Sequence, residues 1–131
     1  MPEVTGVLET ALYVADMSRS VAFYVELFGF EVVDADERIT ALAVTKGQLL
    51  LLCARDASPG IPAISHGGTG QQHVALAVPE SAISSWRDRL EQSGVPVVHE
   101  RRWARGGHSL YFRDPDGHLL ELATPGVWSV Y

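Results

Sequence analysis

An approximate internal repeat is the feature of this 131-residue chain that most restricts its fold. Residues 7–14 alternate between apolar and polar side chains, which predicts a strand, and residues 16–28 have the periodicity of an amphipathic helix. Three further strands complete the first half, at residues 30–34, 39–45 and 48–54. The same order recurs in the second half, so the sequence predicts two copies of a β-α-β-β-β module.

Residues that begin or end helices and form turns support this order in the first half. Asp16 or Ser18 is expected to cap the helix, whose apolar stripe is Val21, Tyr24, Val25 and Phe28. Gly29 is expected to end the helix, and the turn at residues 46–47 joins the last two strands into a hairpin.

The second half repeats the pattern with its own turns. Its predicted elements are a strand at 71–78, a helix at 81–93 and strands at 95–100, 108–113 and 118–123. Gly94 is expected to end the helix, and the sequence Asp-Pro-Asp-Gly at 114–117 to form the last turn. A Pro-, Gly- and Ser-rich stretch at 58–70 separates the halves. We therefore expect one α+β domain over 1–131, with modules at about 7–55 and 71–124 and a linker at 56–70.

Composition excludes several classes of function. A net charge of −6 with ten Lys and Arg argues against nucleic-acid binding, which needs clustered cations. The longest apolar run, residues 49–54, is strand-sized, so neither a membrane span nor an export signal is expected. Cys53 is the single cysteine, which fits a reducing compartment and a cytoplasmic protein. Its parity lets it line a pocket, although a buried small hydrophobe is the simpler interpretation.

Residue parity separates the two faces of each predicted strand, because side chains alternate along a strand. In the strands 7–14, 71–78 and 118–123, one face carries bulky aliphatic residues suited to packing against a helix. The opposite face carries small residues that leave space for a cavity, namely Ala11, Ala75, Ala77 and Ala123. Each small-residue face also holds one potential metal ligand.

Those three potential ligands are Glu9, His73 and Glu121. If the three faces look into one space, two carboxylates and an imidazole converge, a donor set suited to Fe, Mn, Ni or Zn. Buried carboxylates without a cation would lose hydration at a large cost or become protonated. Three protein ligands also leave coordination positions open for water or substrate, as expected of a catalytic site, where Glu9 would also be a catalytic residue.

Each proposed ligand also has a structural interpretation. Glu9 can sit on an exposed edge strand, His73 can be a hydrogen-bonded structural residue, and Glu121 can pair with an arginine. Their common parity and their equivalent places in the repeat favour the metal-site hypothesis.

The predicted strand 108–113 places three polar side chains on one face. If this face lines the cavity, Tyr111 is a candidate catalytic proton donor, Ser109 contacts the substrate, and Arg113 holds a substrate anion. The alternative is that Tyr111 is a half-buried packing residue and Arg113 pairs with Asp114 or Asp116.

The segment 101–108 is basic, aromatic and glycine-containing, which is typical of a binding loop. Within it Trp103 is expected to stack on a planar ligand and Arg105 to contact the substrate, or Trp103 to anchor an interface. His66 can act as an acid or base or simply be solvated. The sequence assigns no role to His108.

Several short motifs along the chain form a joint pattern. They are LYVAD at 12–16, AFY at 22–24, LFGF at 27–30, QHVALAV at 72–78, YFRDPDGH at 111–118 and LEL at 120–122. Together they resemble the glyoxalase / bleomycin resistance / extradiol dioxygenase superfamily, also called the vicinal oxygen chelate superfamily. The resemblance implies two βαβββ modules that form a cupped mixed sheet, in a homodimer whose modules are exchanged between chains.

The resemblance also implies where a metal would bind. Ligands in the family come from the first and last strand of each module, here Glu9, Leu51, His73 and Glu121. Leu51 cannot bind metal, so three ligands remain, which argues against the four-ligand site of a glyoxalase I. One histidine with two carboxylates also differs from the two histidines and one carboxylate of the family's iron dioxygenases.

Two functions follow from these expectations. The first is a divalent-metal-dependent enzyme, a lyase, isomerase or dioxygenase, which applies Lewis-acid catalysis to a small oxygen-bearing substrate. The second is a metal-free protein that binds and sequesters a small molecule, as bleomycin-binding relatives do. Fosfomycin thiol transferases are similar around residues 107–121. The resemblance disfavours their activity, because they have a threonine where Ala11 stands and a basic tail not seen in this sequence.

Overall fold

The computed structural model describes residues 1–57 and 61–131. Its contacts divide the chain into two compact units, residues 1–69 and 70–131. Each unit contains strands and one helix in the order β-α-β-β-β, which confirms the predicted α+β class and the two βαβββ modules. The predicted linker at 56–70 includes residues 58–60, which lie outside the described residues.

The first unit is a four-stranded mixed sheet with one helix against it. Its elements are β1 (Glu9–Val14), α1 (Met17–Phe28), β2 (Glu31–Ala35), β3 (Ile39–Thr45) and β4 (Gln48–Ala54). The strand order is β1-β4-β3-β2, in which β1 runs parallel to β4 and the other pairs are antiparallel. A 3-10 turn, Pro62–Ile64, follows β4.

One face of this sheet forms the core of the first unit. Its fully buried leucines are Leu12, Leu42, Leu50 and Leu52. The cap of α1 is Asp16, whose carboxylate accepts a hydrogen bond from the backbone N–H of Arg19, and Gly29 ends the helix in the left-handed region with φ of 72°. These caps confirm the predicted limits of the helix.

The buried stripe of α1 differs from the predicted one. Ser20, Tyr24 and Leu27 are buried, whereas Val25 is exposed. The buried face of the helix is therefore shifted by about one position from the predicted one, and it includes the small Ser20 side chain.

The second unit has the same architecture. Its elements are β5 (His73–Ala77), α2 (Ile83–Gln92), β6 (His99–Arg102), β7 (His108–Arg113) and β8 (Leu119–Ala123). The strand order is β5-β8-β7-β6, with β5 parallel to β8. A 3-10 turn, Glu80–Ala82, precedes α2, so the helix begins two residues later than predicted. Neither helix of the described residues has the length and apolar character needed to cross a membrane.

The sixth strand is the largest departure from the predicted elements. It was expected at 95–100 and lies at His99–Arg102. Pro96 has no N–H to donate and restricts the residue before it, so this stretch cannot form a regular ladder. The predicted binding loop at 101–108 is correspondingly shorter, because Arg101 and Arg102 belong to β6 and His108 begins β7.

Candidate metal centre

Two of the three predicted metal ligands lie side by side in the second unit. The parallel pairing of β5 with β8 places Ala75 opposite Glu121 and His73 opposite Leu119. The Nε2 atom of His73 lies 3.3 Å from Oε2 of Glu121. The His73 side chain is 48% exposed and that of Glu121 only 8%, so the pair joins a buried carboxylate to an accessible imidazole.

The imidazole of His73 is held in one orientation by the backbone. Its Nδ1 lies 2.8 Å from the carbonyl oxygen of Leu119. A carbonyl oxygen can only accept, so Nδ1 carries the hydrogen, and in the neutral ring Nε2 presents a lone pair towards Glu121. Metal-ligating histidines are commonly fixed in this way, with the second ring nitrogen donating to a backbone carbonyl.

The carboxylate of Glu121 has an unused acceptor. Its Oε1 is buried and has no hydrogen-bond partner among the described residues. An orphaned buried carboxylate oxygen is costly unless a cation or proton lies against it. His73 and Glu121 therefore fit a divalent metal. Imidazole nitrogen and carboxylate oxygen are common metal ligands, and Oε1 of Glu121 lacks a hydrogen-bond partner among the described residues.

Tyr111 lies on the neighbouring strand, directly opposite Glu121 in the antiparallel pairing of β7 with β8. Burial raises the pKa of the Tyr111 phenol, and the adjacent Glu121 carboxylate raises it further. The phenol therefore keeps its proton at neutral pH, as a proton donor requires. The structure brings this predicted catalytic residue to the His73–Glu121 pair.

Ser109 and Trp103 form a supporting layer beside Tyr111. Ser109 is fully buried, and its hydroxyl accepts a hydrogen bond of 2.9 Å from Nε1 of Trp103. The guanidinium of Arg101 lies 3.6 Å from the centroid of the Trp103 ring, a cation–π contact. Trp103 thus packs within the second unit, and its predicted stacking on a ligand stays a prediction, as does substrate binding by Ser109.

The two remaining predicted substrate contacts lie in turns. Arg113 donates to the carbonyl of Gly117 at 3.0 Å and to Oε1 of Gln71 at 3.5 Å, so it supports the turn between β7 and β8. Arg105 is exposed in the turn that the hydrogen bond from Gly106 N–H to Trp103 closes. Their roles in binding an anion stay predictions.

Glu9 begins β1 in the first unit, where it pairs with Leu49 of β4. Its side chain is exposed on an edge strand, and it borders a cavity of about 330 Å³ that Asp34 and Leu51 also line. Its predicted roles as the third ligand and as a catalytic residue stay predictions.

A second group of donor atoms escaped the sequence analysis. Side-chain donor atoms of Asp114, Asp116 and His118 lie within 4.8 Å of one another. The Asp114 carboxylate accepts from the backbone N–H groups of Asp116 and His118, and Nδ1 of His118 accepts from that of Gln72. These bonds fold the turn, so the Asp-Pro-Asp-Gly signal is structural.

His108, to which the sequence assigned no role, is buried in a polar network behind the sheet. Its Nε2 and the guanidinium of Arg87 both contact Oε1 of Glu100. Hydrogen bonds from Arg87 and then His108 lower the pKa of Glu100 to about 2. The network ties α2 to β6 and β7.

Comparison with known proteins gives this arrangement a family. Residues 6–122 match the model of the Glyoxalase/Bleomycin resistance protein/Dioxygenase superfamily. The chain belongs to this superfamily. Among solved structures, this chain is similar to lactoylglutathione lyase from Agrobacterium tumefaciens, with 30% identity and a TM-score of 0.88. That likeness covers 98% of this chain and 99% of the other.

Two relatives by sequence are transferases. The metallothiol transferase FosB of Shouchella clausii is 31% identical over 92% of this chain and 81% of its own length. The glutathione transferase FosA of Serratia marcescens is 35% identical over 85% of this chain and 74% of its own length. From the sequence, a lyase, isomerase or dioxygenase was expected and thiol transfer was disfavoured. Both of these relatives are instead named as transferases.

Proposed function

We propose that this chain is a divalent-metal-dependent enzyme that acts on a small oxygen-bearing substrate. The observation that carries the proposal is the pair in which Nε2 of His73 faces Oε2 of Glu121 while Oε1 of Glu121 lacks a partner among the described residues. When the imidazole is neutral, two acceptor atoms face each other, and a shared cation removes their repulsion. His73 and Glu121 would hold the metal, with Glu9 as the third donor proposed from the sequence.

The metal would supply Lewis acidity to a bound substrate oxygen. The chain's own residues supply the proton and its positioning. Tyr111 holds a protonated phenol opposite Glu121, and the Ser109 side chain lowers the pKa of that phenol against the larger raising effects of burial and Glu121. The positive charge of Arg101 lowers the pKa of Tyr111, but by less than the Glu121 carboxylate raises it.

Within this proposal, thiol transfer is the reaction class that the relatives favour. FosB and FosA are named as metallothiol and glutathione transferases, and they match most of this chain. The thiol would lose its proton to solvent, and a sulfur–carbon bond would form as a carbon–oxygen bond of the substrate opens. The released oxygen would take a proton from Tyr111, the proposed donor, and the tyrosinate would regain a proton from solvent. Ala11 is the departure from the threonine of fosfomycin transferases and argues for a different acceptor or a slower reaction.

Metal binding is the first test. Protein purified without chelator is stripped, titrated separately with Mn, Fe(II), Ni and Zn, and assayed for bound metal. We expect about one equivalent per chain, a loss of binding in His73→Asn and Glu121→Gln, and retained binding in Glu91→Gln, an exposed helix position. Stoichiometric binding that survives both site variants would exclude these ligands. No binding of any of the four ions would favour the metal-free sequestering protein.

Turnover is the second test. The metal-loaded protein is mixed with fosfomycin and a thiol, either glutathione or cysteine, and consumption of the thiol is followed. Metal-dependent consumption that Tyr111→Phe slows by about a hundredfold or more, with metal content unchanged, would support Tyr111 as the proton donor. Metal binding without thiol consumption would retain the metalloenzyme and remove thiol transfer to fosfomycin.

A further inference from the structure

The second unit contains a cavity of about 320 Å³ on the side of its sheet that faces α2. Arg102 of β6 pairs with His108 of β7, and both residues line this cavity. His108 immediately precedes Ser109, and successive residues of a strand project to opposite faces. The cavity therefore lies on the other face of the sheet from Ser109 and Tyr111, and it is separate from the proposed metal site.

His108 presents one free ring nitrogen to this cavity. The residue is only 3% exposed, and its Nε2 contacts Oε1 of Glu100. The pKa of Glu100 is lowered to about 2, so its carboxylate is ionised and can only accept. Nε2 therefore carries the hydrogen, and in the neutral ring Nδ1 has a lone pair. Among the described residues Nδ1 forms no hydrogen bond and yet is not fully buried, so it is open to the cavity as an acceptor.

Two opposite charges line the cavity without pairing with each other. Glu80 lies in the 3-10 turn before α2, and Arg102 ends β6. Neither side chain forms an ion pair or a hydrogen bond with another described residue. A simple anion would be repelled by Glu80 and a simple cation by Arg102. A ligand that carries both charges would instead satisfy the two groups at once.

The remaining lining adds hydrogen-bonding groups on a fixed frame. Ser81 and Ser84 line the cavity from the chain around the start of α2, and their hydroxyls form no hydrogen bond with other described residues. A hydroxyl can donate or accept, so it suits either end of a ligand that carries both charges. Arg87 and His108 are both held by Glu100, which fixes α2 against the two strands. The walls of the cavity are thus in place before a ligand binds, which reduces the cost of ordering them.

We propose that this cavity binds an α-amino acid in its zwitterionic form. The carboxylate would pair with Arg102, whose planar guanidinium matches it. The ammonium would donate to Glu80 and to Nδ1 of His108, which are acceptors. Arg102 and His108 are directly paired, so two groups attached to the same carbon can reach both. The volume is also adequate, since small-molecule pockets begin at roughly 300 Å³ and this one measures about 320 Å³.

An NMR titration of isotopically labelled protein with L-alanine tests the proposal. The buffer contains EDTA, because amino acids also bind metal ions. We expect saturable shifts of the backbone signals of residues 80–84 and of Arg102 and His108. Propionate lacks the ammonium and ethylamine lacks the carboxylate, so each should bind at least about tenfold more weakly, a loss of about 1.4 kcal/mol. Propionate or ethylamine binding as tightly as alanine would overturn the proposal, as would the absence of saturable shifts with alanine.

Variants assign the binding to this cavity. Glu80→Gln and Arg102→Gln change exposed side chains and should each weaken alanine binding at least about tenfold. Asp88→Asn and Arg55→Gln change exposed positions outside the lining and should bind alanine as the parent does. Thermal unfolding checks that all four variants fold. His73→Asn should also retain alanine binding, so failure of the proposed metal site and failure of this site are distinguishable. Unchanged alanine affinity in folded Arg102→Gln would contradict the proposal.

Discussion

The Nε2 atom of His73 and the Oε2 atom of Glu121 lie 3.3 Å apart, although neither carries a hydrogen when the imidazole is neutral. Close approach of two acceptors is stable only when a proton or another cation lies between them. We predict opposite effects of Glu121→Gln on the two forms of the protein. Stability of the metal-free form should rise by about 1 kcal/mol, because the buried negative charge is removed and the amide N–H can donate to Nε2 of His73. Stabilisation by added metal should disappear.

Thermal unfolding of the stripped protein, with and without Mn or Zn, measures both effects. Glu91→Gln is the matched control and should behave as the parent, because its side chain is exposed on α2. An increase in Tm on metal addition that is equal in Glu121→Gln and the parent would contradict the site.

The support beneath Tyr111 can be tested without metal or substrate. Trp103→Phe removes the hydrogen bond that Nε1 donates to the buried hydroxyl of Ser109. We expect a loss of about 1–2 kcal/mol of unfolding free energy, because a buried polar group is left without its donor and the contact with Arg101 weakens. Urea denaturation measures it. Trp128→Phe should change stability little, since Trp128 is 65% exposed.

The network around Glu100 predicts how stability depends on acid. The pKa of Glu100 is lowered from 4.5 to about 2, first by the hydrogen bond from Arg87 and then by that from His108. A lowered folded-state pKa means that the group stabilises the fold above its unfolded pKa and loses this contribution as pH falls from about 4.5 to 2. Comparison of Tm against pH checks this. Glu100→Gln should have a lower Tm at pH 7 and a smaller decrease across that interval.

A control separates this network from general acid unfolding. Asp88→Asn changes another exposed carboxylate of the second unit, and it avoids Glu80, which lines the same cavity as Arg87 and His108. It should keep the parent's dependence on pH below 4.5, the ordinary carboxyl value of Glu100. If Glu100→Gln and the parent lose stability in parallel, another group controls the acid transition.

The module order could be predicted from the sequence because apolar periodicity and punctuating glycines are local signals. Asp16 and Gly29 bound α1 as expected, and the turn at 114–117 closes on the hydrogen bond from Gly117 N–H to Asp114. The limits of β6 could not be predicted from apolar residues, since Pro96 blocks the ladder there and the polar segment 99–102 pairs with β7 instead.

The candidate site likewise has some contacts that the sequence predicts and others that it does not. Strand parity was sufficient to place His73, Glu121 and Tyr111 together, because register within one sheet preserves parity. Parity does not show which polar side chains already form hydrogen bonds with neighbouring residues. Arg113 bonds the backbone of its own turn, and Trp103 bonds Ser109, and both contacts depend on turn geometry that periodicity does not encode.

The backbone packs closely around Gly107, and this contact cannot be predicted from the hydrophobic pattern of the sequence. A Cβ added at Gly107 would lie 2.3 Å from the backbone nitrogen of Val127 and 2.5 Å from the carbonyl carbon of Gly126. Backbone atoms cannot move aside as a flexible side chain can, so the C-terminal segment would have to shift. We expect Gly107→Ala to cost about 2–4 kcal/mol of unfolding free energy, as overpacking of a tight contact does. Urea denaturation measures the loss.

Gly67 provides the matched substitution, because nothing lies within 4 Å of its added Cβ and its φ is not in the left-handed region. Gly67→Ala should leave stability unchanged or raise it by up to about 1 kcal/mol, since alanine restricts the unfolded chain. Val127 is buried, so displacement of its segment in Gly107→Ala should also expose apolar surface and increase binding of a hydrophobic dye. Equal stability of the two variants would show that the C-terminal segment can move away from Gly107 without loss, and that Val127 contributes little to the core of the second unit.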